Sequence, residues 1–333
     1  MQSSTNILVA GLAVFSASLL MLEAAPAQTN SAVAHVRAGV RDLGKRFDPE
    51  VLAATGALYA ELQRTAERGG VKIIADVQYG PDELQAFDIF VPERPPAAPA
   101  PIVVYLHGGG LVSGDKVSGG TDGLIYGNIP TFVARHGIIG VNANYRLVPN
   151  VKWPGGPEDI RAMLQWLQQN VAEHGGDAGK IFLMGNSAGA THVAAYLFHQ
   201  PTQLDGRPGV VGAMLSSGGF AAGSANTMRA YIGDDEAAWQ ANSPLGLVDS
   251  YAGDPVPIFM WSAEYDPIFI ESPVAQMYAK LCAKYADCPR YTQYQGHNHV
   301  SHVMSINSAD GAVGEAALDF IRDVLAEESG SAD

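Results

Sequence analysis

The chain has 333 residues, enough for one large domain or two small ones, and 47% of them are hydrophobic. A sizeable core is therefore expected and general disorder is excluded. The formal net charge of −14 repels phosphate backbones and argues against nucleic acid as a partner.

Taken in chain order, residues 7–22 form an apolar run, short of the roughly 20 residues a membrane span needs. Ala25-Pro26-Ala27 follows, a small-x-small site of the kind a signal peptidase cuts. The expectation is a signal peptide over 1–27, cleavage after Ala27, Gln28 as the new N-terminus, and an exported chain, periplasmic or secreted, with no stable membrane span. No Lys or Arg precedes the run, so the α-amino group alone supplies positive charge there. An uncleaved anchor or a buried helix is the alternative. Residues 29–70 read as helical: Asp48-Pro49-Glu50 has the form of an N-cap, a first-turn proline and an early acid. Leu52, Leu58, Tyr59 and Leu62 keep helical spacing, and Gly69-Gly70 ends the run.

Beyond it, short apolar strands alternate with helices. Strands are expected over 71–79 and 86–91, with a turn near Gly80-Pro81-Asp82, and a Pro- and Ala-rich surface loop over 93–101. Further strands are expected at 102–106, 138–144, 181–184, 210–215, 256–261 and 291–295. Helices are expected at 158–174, 188–198, 272–285 and 314–325. This alternation implies a mainly parallel central sheet with helices on both faces. Residues 221–250 break the pattern; with 28–70 they are the candidate elements of a small helical cap on a single domain over 28–333. The two cysteines, Cys282 and Cys288, would clamp the end of a helix to the next strand if oxidised after export. Two free buried thiols are the alternative.

Two motifs carry chemistry. Gly185-Asn186-Ser187-Ala188-Gly189 fits G-x-S-x-G, and an apolar strand runs into it and a helix out of it. That context is the strand–turn–helix elbow which presents a serine nucleophile where helix N–H groups favour negative charge. The plain alternative is a glycine-rich turn with an inert serine. His107-Gly108-Gly109-Gly110 follows another strand, and its bare backbone suits either donors for an oxyanion or a flexible loop. No G-x-x-x-x-G-K-[ST] lies nearby to favour a phosphate cradle.

With these motifs the chain resembles the hormone-sensitive-lipase-like branch of the α/β-hydrolases, which includes bacterial carboxylesterases, from about residue 102 to the C-terminus. The resemblance implies the α/β-hydrolase fold and an oxyanion hole from the N–H groups of Gly109, Gly110 and Ala188, with His107 structural. Asn144-Tyr145-Arg146-Leu147-Val148-Pro149, then Trp153-Pro154 and Glu158-Asp159, also resemble the family. Arg146 and Asp159 are candidates for an ion pair there. Asn150 and Asn186 stand where relatives often carry acids.

An acid and a histidine must follow the serine in chain order. Asp266, in Ser262-Ala263-Glu264-Tyr265-Asp266-Pro267, resembles the family's acid, with Glu264 as rival. Gly296-His297-Asn298-His299-Val300-Ser301-His302 offers three histidines. The family's register of Gly, two residues, His and an apolar residue selects His299; His297 and His302 remain open. The H-x-H-x-x-H spacing is also compatible with zinc, but no acidic or Cys ligand lies in that stretch, and no metal or other cofactor is expected. His192 and His199 read as packing or surface residues.

The implied function is a serine carboxylic-ester hydrolase acting on a small-molecule ester through an acyl-enzyme on Ser187. An arylformamidase-like amidase with the same residues is the rival, and a non-catalytic binding module on the same fold is a third reading. Phe220, Tyr231, Trp239 and Phe269 are candidate walls of the substrate pocket, or ordinary core aromatics.

Overall fold

The computed structural model describes residues 31–118, 121 and 123–330. The expected signal peptide and its cleavage point after Ala27 lie outside the described residues.

The N-terminal helical stretch is two helices rather than one. α1 (31–43) stops at Gly44, whose N–H turns back to Val40 O at 3.2 Å, and α2 (Pro49–Thr65) restarts after a short loop. Asp48 sets that restart: its side chain accepts from Val51 N at 3.0 Å, with Pro49 in the first turn. The cap signal was in the sequence, but it marks a second helix and not the interior of a long one.

Eight strands then build one sheet: β1 (Val71–Gln78), β2 (Ala86–Pro92), β3 (Ala100–Leu106), β4 (Ile139–Ala143), β5 (Gly176–Asn186), β6 (Gly212–Ser216), β7 (Ile258–Tyr265) and β8 (Arg290–Asn298). Their order across the sheet is β1-β2-β4-β3-β5-β6-β7-β8. The pairs β1–β2 and β2–β4 are antiparallel; every other pair is parallel. Successive side chains of a strand point to opposite faces, and β3 shows the result. Ile102, Val104 and Leu106 enter the core layer that holds α4 (Gly155–Asn170) and α5 (Ala188–Phe198). Val103 and Tyr105 enter the opposite layer with α3 (Asn128–Arg135) and α10 (Ala312–Gly330). Burial on both faces is why these strands read as unbroken apolar runs.

β5 begins five residues before the expected strand, because Gly176 pairs with Ala100 across a register shift. α9 (Ile268–Tyr285) begins four residues early and carries Pro273 inside its second turn, where the sequence suggests a start. β8 runs on to Asn298 and so places His297 on the strand. Residues 221–250 hold three short helices, α6 (Ala225–Tyr231), α7 (Glu236–Ala241) and α8 (Pro244–Ser250), with Ser224, Asp235 and Ser243 as side-chain caps. Cys282 and Cys288 are joined, tying the last turn of α9 to the segment that enters β8.

At the sheet's far edge β1 is bulged between Ile74 and Val77. Asp76 sits there at φ 56°, its N–H donating to Asp88 Oδ1 at 2.8 Å. Lys116 Nζ joins both carboxylates, at 2.9 Å from Asp76 and 2.7 Å from Asp88. Among the described residues no helix is long and apolar enough to cross a membrane.

Candidate active site

The carboxyl ends of the parallel strands converge on Ser187. β5 ends at Asn186 and α5 starts at Ala188, so Ser187 is the corner, at φ 53° and ψ −116°. A side chain at that backbone setting is strained and persists only where its surroundings dictate it. They do: Ser187 N donates to Ser216 O at 2.9 Å, and Thr191 N closes on Ser187 O at 3.0 Å. The flanking glycine is equally fixed. A Cβ at Gly189 would strike the carbonyl oxygens of Leu106 and His107, the backbone of β3 itself.

Three side chains form a hydrogen-bonded row at this corner. His299 Nε2 lies 2.9 Å from Ser187 Oγ, and His299 Nδ1 lies 2.8 Å from Asp266 Oδ1. Asp266 is fully buried, and its second oxygen accepts from Ala263 N at 2.8 Å and from Ser217 Oγ at 2.7 Å. Burial pushes the Asp266 carboxyl up, but the hydrogen bond and charge of His299, together with the Ala263 N–H, outweigh it and hold the group below its usual value. The row can accept a proton from the hydroxyl at one end while the carboxylate at the other fixes the imidazole tautomer. The rival acid, Glu264, is directed elsewhere and accepts from Gly296 N at 2.7 Å.

The three histidines of the loop have three separate placements. His302 is buried behind the acid. Trp261 Nε1–H donates to His302 Nδ1 at 3.3 Å, so the ring proton sits on Nε2, facing Ser217 Oγ at 3.2 Å. Burial pushes His302 down to about 3, so it stays neutral. A line of hydrogen bonds thus runs from His302 through Ser217 to Asp266, and Ser216 links the same ring to Asn186. His297 is buried between Ser301 Oγ at 3.1 Å and the Tyr59 hydroxyl at 3.4 Å, and burial lowers it to about 4. Tyr59 in turn donates to Asp310 at 2.8 Å, which also receives Arg37 Nε at 3.1 Å. That group binds α1 and α2 to the C-terminal part of the chain. Among the described residues no cluster of three or more His, Cys, Asp or Glu is placed to hold a metal ion.

The His107 loop lies beside the corner. The His107 ring stacks on Tyr145 with centroids 4.4 Å apart, donates from Nδ1 to Gly108 O at 2.7 Å, and is lowered by burial. Tyr145 OH donates to His107 O at 2.8 Å. Gly109 has φ 136°, and a Cβ there would enter the backbone of Ser113 and Gly114; only glycine allows so tight a fold. Arg146 Nε and Asp159 Oδ1 pair at 2.7 Å one layer behind, with Gln85 also on that carboxylate. His192 is buried and pushed down to about 3, and His199 is half-buried.

Ser187, His299, Gly109, Gly110 and Ala188 all border one cavity of about 1060 Å³. The two stretches singled out as cap elements both reach it: Phe47 from the loop between α1 and α2 and Leu52 from α2, Met228 and Tyr231 from α6. Of the four candidate wall aromatics, Tyr231 and Phe269 border the cavity, whereas Phe220 and Trp239 do not. Phe220 is fully buried, its ring packed against Gly218 and Ala190, and Trp239 turns its indole N–H to Gly233 O at 2.6 Å. Phe47 escaped the sequence reading. It directly precedes the capping Asp48, where an apolar residue reads as a staple onto the helix it precedes.

Known esterases resemble this chain in part of their sequence and in fold. The family model BD-FAE matches residues 87–209. Esterase LipC of Mycobacterium tuberculosis is 31% identical over 119 residues, which cover 36% of this chain and 28% of that protein. Esterase LipI of the same organism is 35% identical over 117 residues, covering 35% and 34%. The matched part is thus about a third of the length of these curated relatives. Among solved structures, esterase B from Lactobacillus rhamnosis superposes with a TM-score of 0.66 at 20% identity, covering 92% of this chain and 98% of that one. The Pyrobaculum calidifontis esterase gives 0.62 at 22% identity, covering 82% and 92%. By fold the chain is an α/β-hydrolase, related through its central portion to esterases.

Proposed function

We propose that the chain is a serine carboxylic-ester hydrolase. The observation that carries this reading is the continuous row Ser187–His299–Asp266, with contacts of 2.9 and 2.8 Å, opening onto a cavity beside a bare glycine loop. In the first half-reaction His299 Nε2 takes the Ser187 proton as Oγ attacks the ester carbonyl. The backbone N–H groups of Gly109, Gly110 and Ala188 receive the oxyanion. The alcohol leaves with the proton from His299, and an acyl group remains on Ser187. Water, deprotonated by His299, then releases the acid. The esterase names of the relatives point the same way.

The same reading includes export, with processing after Ala27. The apolar run 7–22 and the Ala25-Pro26-Ala27 site support it, and the Cys282–Cys288 bridge suits an oxidising compartment. A fluorophosphonate probe tests the chemistry directly: it should label the wild-type chain at Ser187 and leave Ser187→Ala unlabelled and inactive. An active Ser187→Ala variant would end the reading.

A further inference from the structure

The cavity has two walls, and they belong to different parts of the molecule. Leu111, Ala188, Met228 and Tyr231 share one apolar cluster with the 221–250 insert. Leu52, Tyr126 and Val300 belong to another cluster, under the N-terminal helices. Ser187 lies between them. On the second side Phe47 stands edge-on to the His299 ring, with centroids 4.8 Å apart and planes at 87°. Phe269 meets Phe47 in turn at 5.7 Å and 68°. Both aromatics are substantially exposed, 41% for Phe47 and 58% for Phe269. Large apolar rings are seldom left in water at a cavity mouth unless something covers them in use.

The proposed chemistry says what covers them. The departing alcohol oxygen must lie within hydrogen-bond reach of His299 Nε2, because that nitrogen returns the proton. The alcohol portion therefore lies on the His299 side, and the acyl portion extends towards Met228 and Tyr231. Resting on the ester-hydrolase reading, we infer that Phe47 and Phe269 form a leaving-group clamp selective for esters of aromatic or similarly flat apolar alcohols. Two rings tilted 68° to each other offer a face and an edge to a third ring, the arrangement aromatic groups prefer. Among the described residues that border the cavity there is no Lys or Arg and the one carboxylate is Asp115, of the glycine loop; Leu52, Ile270 and Pro273 continue the wall of Phe47 and Phe269, and a charged alcohol gains nothing from those side chains.

The test compares benzyl butyrate with ethyl butyrate on the full chain. The two substrates share an acyl group and therefore one acyl-enzyme. The wild type should show the higher kcat/KM for the benzyl ester. Phe47→Ala and Phe269→Ala should each lower benzyl kcat/KM by about fivefold, the size of one aromatic contact, and Phe269→Ala, whose ring meets Phe47 and not His299, should change the ethyl ester less than about twofold. Phe47→Trp should retain the preference. The rate of acyl-enzyme hydrolysis should stay at the wild-type value in Phe269→Ala, since the alcohol has left by then and the ring removed does not touch His299. Equal losses on both esters in Phe269→Ala, or a changed deacylation rate in that variant, would overturn the clamp while leaving the hydrolase intact. A chain that hydrolyses neither ester and resists the fluorophosphonate would overturn the hydrolase reading itself, and the clamp with it.

Discussion

The elbow around Ser187 and the helical cover above it are held in opposite ways. The elbow is backbone against backbone: Gly189 lies against the carbonyls of β3, and Gly109 against Ser113. The cover is side chain against side chain. Its helices begin on Asp48, Ser224, Asp235 and Ser243, and it meets the cavity through Phe47, Leu52, Met228 and Tyr231. Backbone contacts cannot be exchanged by substitution, but side-chain contacts can. The reacting geometry is therefore built from parts that tolerate no change, and the selecting surface from parts that do.

Two glycines give the widest contrast. Gly189→Ala should abolish activity, because its methyl group has only main-chain carbonyls to push against. Gly56→Ala, inside α2 with nothing within 4 Å of the new methyl, should keep full activity and gain up to about 1 kcal/mol of stability from helix propensity. Urea melts and ester turnover of both variants measure this. An active Gly189→Ala chain would break the distinction.

Acid should act next, through buried histidines on both sides of the divide. His192 and His302 in the body sit near 3 and His297 beneath the N-terminal helices near 4, all lowered by burial. An unfolded histidine titrates near 6.5, so below that pH the unfolded chain takes up protons that the folded chain refuses. Stability is then full above about pH 6.5 and falls as pH drops towards 4, by roughly 2 kcal/mol per histidine at pH 5. Urea midpoints measured from pH 7.5 to 5 should decline, and His297→Gln should flatten the decline by one histidine's share. A midpoint that does not move with pH contradicts it.

A smaller effect sharpens the comparison inside the elbow's own polar layer. His302 reaches Asp266 only through Ser217, so it positions the acid and touches no reacting atom. His302→Leu should lower kcat by about tenfold with KM nearly unchanged, and His302→Gln, which keeps an N–H donor, should recover much of it. Ser217→Ala should lose a similar factor, and the double variant little more, because the two act as one unit. A change carried by KM instead would make His302 a packing residue.

The sequence was most legible where the structure is most deeply buried. The apolar runs of β3 to β7 and the strand–elbow–helix pattern around Ser187 were clear because burial on both faces leaves few residue choices. α3 was missed: Pro130 reads as a breaker, yet in the helix's first turn its missing N–H costs nothing. The histidine loop was half legible. A glycine register singled out His299, the one the structure places beside Ser187, but no spacing could show that His302 backs the acid or that His297 faces Tyr59. Those partners come from residues 216–217 and 59, far away in the chain. Phe220 and Trp239 could not be told apart from Tyr231 and Phe269 for a related reason: aromatic content near a cavity does not tell which rings turn inward.

The bulge at Asp76 bears on how these molecules meet one another. An outer strand ordinarily offers a row of free N–H and C=O groups, onto which a strand from another molecule can be added. Here the row is interrupted: the Asp76 N–H is committed inward to Asp88, and a lysine bridges both carboxylates. A foreign strand would find its ladder broken after a few residues, with a lysine and two carboxylates at the break. The exposed Ile73 beside it therefore does not become a seed for stacking, and the eight-stranded sheet has a built-in end on this side.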